Sequence, residues 1–107
     1  MKQTAYRGAT ILETGIKEKV MQEITELAKK NNVTKLVLFG SRARGDFHRT
    51  SDIDLAVSGG SIYSFIADVN EETSTLLEFD IVNLDGSVQK ELLEMIQKEG
   101  KIIYEKI

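Results

Sequence analysis

Asp52 and Asp54 stand two residues apart at the head of an apolar run that continues through Leu55, Ala56 and Val57. Residues two apart in a strand project from the same face, so these carboxylates would sit side by side, roughly 7 Å apart at their Cα atoms. The other face, Ile53, Leu55 and Val57, is apolar and can be pinned to a core. Upstream, Leu36-Val37-Leu38-Phe39 reads as a short buried strand and runs into Gly40-Ser41. Glycine lets the backbone approach a phosphate closely, and the Ser41 hydroxyl with nearby N–H groups can bond phosphate oxygens. Paired carboxylates on a rigid strand beyond a Gly-Ser turn are equipment for a divalent metal and a phosphate. On a later strand Glu78 and Asp80 share one face and are further candidate carboxylates. Three acids crowded to about 4 Å would repel by about 4 kcal/mol per pair at an effective dielectric near 20, so a bound cation is the natural reason to gather them.

Composition narrows the choice. A chain of 107 residues has room for one domain with a modest core. Its net charge of −3 argues against broad, stable nucleic-acid binding, while Arg42, Arg44 and Arg49 still cluster near the acids. With no cysteine and a lone His48, a metal must be held by oxygen, which favours Mg²⁺, with Mn²⁺ as the substitute. No apolar run approaches membrane-spanning length and the N-terminus lacks a signal-peptide core, so a cytoplasmic protein is expected. A P-loop does not fit, because Asp46-Phe47 stands where Lys-Ser/Thr is required, and the Rossmann glycine triplet is absent.

The elements that must position these groups follow from periodicity. Residues 1–9 are polar and unpatterned, a loose arm. A helix begins at Thr10, where Thr10 and Glu13 fit a capping box, or at Thr14 if Gly15 delays it. Leu12, Ile16, Val20, Ile24 and Leu27 form its apolar stripe, and Lys29-Lys30 suit its negative pole. Strands are expected over 35–39, 53–57, 76–84 and 101–104. A second helix starts at Ser61 with Ile62, Phe65, Ile66 and Val69 inward. A third carries Val88, Leu92, Met95 and Ile96 and ends at Gly100. The loop between the first two strands is too short for a parallel crossover, so that pair should be antiparallel. The expectation is an α+β, two-layer sandwich, with a mixed sheet of about four strands and helices packed on one side.

The run Gly40-Ser41-Arg42-Ala43-Arg44-Gly45, a short loop, then Ser51-Asp52-Ile53-Asp54-Leu55 resembles the nucleotidyltransferase superfamily of the β-type DNA polymerases, and most of all its minimal nucleotidyltransferase domains. The resemblance implies the nucleotidyltransferase fold over residues 1–107 as one domain. It also implies Asp52, Asp54 and Asp80 as catalytic metal ligands for two Mg²⁺ ions, Asp80 being preferred to Glu78 because Asp80-Ile81-Val82-Asn83-Leu84 looks like the family's third-carboxylate strand. Gly40 and Ser41 would bind the nucleotide. Arg44 would contact a phosphate or else brace Asp52 or Asp80.

Minimal domains of this kind are commonly paired with a helical HEPN ribonuclease as toxin and antitoxin. The function implied is transfer of AMP from ATP to a tyrosine of that partner, since nothing in the chain encloses an acceptor. A non-catalytic antitoxin acting by binding alone, or transfer to a small hydroxylated molecule, are the alternatives. The remaining residues of the stretch have plainer readings. Arg42 and Arg49 are surface charge or else phosphate contacts, His48 is exposed on the loop, and Phe47 either stacks on a base or covers the rim.

Overall fold

The computed structural model describes residues 14–106. The expected arm over 1–9, the Thr10 helix start and Leu12 lie outside them. The first described helix, α1 (Glu18–Lys30), buries Val20, Met21, Ile24, Leu27 and Ala28 along one stripe. It begins after the Thr14 start that was expected if Gly15 delayed the helix. Gly15 has φ +71°, which no helix accommodates, and the Thr14 hydroxyl instead accepts the Ile16 N–H within a local turn. At the other end the Asn31 side chain donates to the Leu27 carbonyl and to Asp68, fastening α1 to a later helix.

Strand β1 (Lys35–Phe39) is followed by a single helical turn, α2 (Ser41–Arg44), a loop, and β2 (Ile53–Ser58). Helix α3 (Ile62–Glu72) leads to β3 (Phe79–Asn83), and α4 (Lys90–Glu99) to β4 (Lys101–Glu105). The sheet order is β3-β2-β1-β4, with β1 antiparallel to both β2 and β4, and β2 parallel to β3. The antiparallel β1–β2 pair and the mixed four-stranded sheet match the expectation.

β3 is shorter than the strand expected over 76–84. Its pairing starts at Ile53↔Phe79 because β2 has no residue before Ile53 to pair with. Ahead of it the Leu77 N–H turns to the Thr75 hydroxyl, and Leu76 is fully exposed.

Alternation along the strands separates two apolar clusters. Leu36 and Leu38 of β1 and Ile53, Leu55 and Val57 of β2 pack with α1 and α3 in the larger one. Val37, Phe39 and Ala56 face the other way, onto Ile96, Leu92 and Met95 of α4. Placement of all helices on one side is thus corrected. The apolar stripe of α4 needs a partner, and the sheet's second face carries enough apolar residues to supply one. The larger cluster should carry most of the stability. Phe65→Ala, which empties a fully buried position of α3, is expected to cost about 3–5 kcal/mol in urea denaturation.

Candidate active site

Asp54 and Asp80 are register partners on the parallel strands β2 and β3, so their side chains leave the same face of the sheet. Phe39 of β1 is the register partner of Asp54 on its other side. That face is the one partly covered by α4, and the acids occupy its far end. Asp52, two residues before Asp54, lies in the last step of the loop and is exposed, as is Asp80. Asp54 is half-buried between them.

Its position explains its charge. Withdrawal from water, then the nearby charges of Asp80 and Asp52, push the Asp54 carboxyl up to about 6, against smaller opposing pulls from Arg44 and Arg42. The acidic group is therefore one electrostatic unit. It is not a closed cage, however. Among the described residues no three acidic or histidine side chains stand close enough to hold an ion unaided. The donors are all oxygen, and the central carboxylate has acids on both sides whose charge outweighs the pull of the two arginines. They fit a hard divalent cation whose coordination is completed by oxygens from outside the chain.

Gly40 has φ +76° and ψ −157°, and a Cβ built there would overlap the Asp54 carboxylate. This glycine was expected for approach to a phosphate. In the structure it first makes room for Asp54, a need in both space and backbone conformation that no other residue meets. Ser41, half-buried, opens α2, whose first bonds run from the Ala43 and Arg44 N–H groups to the Gly40 carbonyl.

The arginines depart from expectation. Arg44 braces neither Asp52 nor Asp80. It is ion-paired to Asp46 at 3.2 Å and to Glu99 of α4 at 3.0 Å, with its side chain 39% exposed. Arg42 is not surface charge, since only 1% of it is exposed and its guanidinium donates to main-chain carbonyls of the loop and of Thr14. A loop of polar residues with one aromatic, Phe47, needs something to satisfy its carbonyls, which is the signal that could have marked Arg42. Phe47 covers that guanidinium, with its centroid 4.9 Å away. His48 and Arg49 are exposed, as expected.

The sequence model of the family described as Polymerase beta, Nucleotidyltransferase matches residues 22–107. The chain belongs to this family. Membership makes it a nucleotidyltransferase by class, and the order of strands and helices is that of the family's fold. A Methanocaldococcus jannaschii protein named "putative protein adenylyltransferase" is 29% identical over 100 aligned positions, covering 81% of this chain and 97% of that protein. Two solved structures are similar. A toxin–antitoxin crystallised with AMP-PNP aligns at TM-score 0.61 and 26% identity, over 80% of this chain and 73% of that one. A mutant of the MntA-HpeT toxin–antitoxin aligns at 0.62 and 25%, over 79% and 72%.

The raised Asp54 carboxyl makes stability depend on pH with a definite sign. An unfolded aspartate ionises near the ordinary 3.8 and the folded one near 6. Between those values the folded chain holds the extra proton, so this group's contribution falls as pH rises from about 4 through about 6, then levels off. Asp54→Asn removes that loss. After allowance for solvent screening of a half-buried group, the variant should be more stable than the parent above pH 7 by about 1–2 kcal/mol. The gain should disappear below pH 4, as thermal melts across that range will show.

Proposed function

We propose that this nucleotidyltransferase moves AMP from ATP to a tyrosine hydroxyl of a helical HEPN ribonuclease partner, and so acts as the antitoxin of a toxin–antitoxin pair. The observation that carries the proposal is the register of Asp54 and Asp80 on neighbouring parallel strands, with Asp52 two residues upstream. The named adenylyltransferase and the AMP-PNP toxin–antitoxin support the nucleotide and the kind of partner.

In this reading Asp52, Asp54 and Asp80 would hold two Mg²⁺ ions, which supply Lewis-acid activation of the attacking oxygen and neutralise charge on the leaving one. Gly40 and Ser41 receive the triphosphate at the turn beside Asp54. Asp80, on the exposed rim, takes the proton from the tyrosine hydroxyl. The hydroxyl oxygen bonds to the α-phosphorus, the bond from that phosphorus to the bridging oxygen breaks, and pyrophosphate leaves. Arg44 faces solvent beside the turn and serves as the phosphate contact. The whole chain works as one domain in the cytoplasm. Among the described residues no helix is long and apolar enough to cross a membrane. The acceptor arrives on a second protein because the acids sit at an open end of the sheet.

The test is incubation with the co-encoded partner and ATP labelled at the α- or the γ-phosphate, with Mg²⁺. Label on the partner from the α position alone is expected, and label from γ would mean a kinase. Asp80→Asn should lower transfer on the order of 100-fold or more while the two proteins still associate. Undiminished neutralisation of the partner by that variant would instead establish an antitoxin that acts by binding.

A further inference from the structure

Burying a guanidinium requires acceptors for its N–H donors. Arg42 finds them on the main chain. Its Nε and Nη2 both donate to the Ser51 carbonyl, at 3.1 and 2.9 Å, and Nη2 donates also to the Arg49 carbonyl at 3.1 Å. A longer contact of 3.4 Å reaches the His48 carbonyl. Nη1 donates to the Thr14 carbonyl at 2.8 Å, from the segment that precedes α1. The Phe47 ring lies over the guanidinium. Gly15 lies against both, since a Cβ there would overlap the Phe47 ring and crowd Arg42 Nη1.

The Ser51 carbonyl belongs to the peptide group whose nitrogen is that of Asp52. Asp54 and Asp80 are placed by strand pairing, but Asp52 lies outside every strand. Something else must fix it relative to them. The loop's second half closes on itself through two bonds: the His48 N–H donates to the Ser51 hydroxyl at 2.7 Å, and the Ser51 N–H to the His48 carbonyl at 3.0 Å. Both enclose the residues that Arg42 grips. We infer that Arg42 is a positioning residue which sets Asp52 against the strand-borne acids, and that Thr14 and Gly15 complete its seat. Arg42, inside the Gly40–Gly45 run, is therefore part of the site's machinery without touching substrate.

The consequence for AMP transfer rests on the proposed function; the consequence for the loop does not. Three variants of the full chain separate the two: Arg42→Lys, which keeps the charge and loses the fork of donors, Phe47→Leu, which removes only the cover, and Asp54→Asn as a control for ion binding. Amide hydrogen exchange by NMR is read at His48, Ser51 and Ile53, whose N–H groups are all bonded, and at β1 and β4 for comparison. Binding of Mn²⁺ is followed by electron paramagnetic resonance.

For Arg42→Lys, exchange at His48 and Ser51 should rise at least about tenfold with the β1 amides unchanged, and Mn²⁺ affinity should fall about 10–100-fold. Phe47→Leu should shift both in the same direction by less, and decides the matter if Arg42→Lys does not fold. Loop exchange and Mn²⁺ affinity both within twofold of the parent would overturn the inference. So would an equal acceleration over the whole sheet, which is what a purely structural arginine gives. A parent chain that transfers no AMP would end the proposed function, while the exchange pattern would still decide the role of Arg42.

Discussion

A carboxylate half withdrawn from water, with two other acids nearby, moves away unless the chain that bears it cannot shift. Asp54 is held by its neighbours in sequence. Ile53 and Leu55 are fully buried on the opposite face of β2, and sliding the strand by one residue would turn both out of that core onto the acid-bearing face. Five register pairs to β1 and five to β3 resist the same slip. The apolar face therefore sets the position of the acid, and the unfavourable charge is sustained by burial on the far side of the strand. Gly40 belongs to the same constraint, because only a residue without Cβ leaves the Asp54 carboxylate its space.

Around that fixed centre the other groups are held by different means. Asp80 comes with β3, which among the described residues is an edge strand paired to β2 alone. Asp52 comes with a loop whose carbonyls converge on a buried guanidinium. The three acids couple electrostatically without enclosing an ion. A site of this kind gains most when its substrate brings the missing ligands, as a triphosphate does with its oxygens.

Most of this was legible from residue types at short range. Alternation in 53–57 marks both the buried face and the acidic one, and the brevity of the loop after Phe39 requires an antiparallel pair. The stretch from Gly40 to Leu55 marks the site through its chemistry. The losses came where a long-range partner decides. Arg42 and Arg44 look alike in sequence, and nothing local reveals that one faces loop carbonyls and the other faces Glu99, 55 residues away. Leu76 and Leu77 have strand character, but β2 offers them no pairing partner. The apolar stripe of α4 would fit either face of the sheet, and which one it covers depends on chain tracing that periodicity does not encode.

The two arginines of the turn between Gly40 and Gly45 illustrate how burial divides residues of one type between structure and ligand contact. Arg42 has carbonyl partners in place of water, so exchanging them for a phosphate would strand several buried acceptors at once, a large penalty. Arg44 holds its carboxylate partners at the surface, where water already competes with them and such pairs contribute little. A triphosphate can displace Asp46 and Glu99 from Arg44 without disturbing the fold. On energetic grounds Arg44 is thus the better candidate of the two for the proposed phosphate contact, while Arg42 is committed to the loop carbonyls.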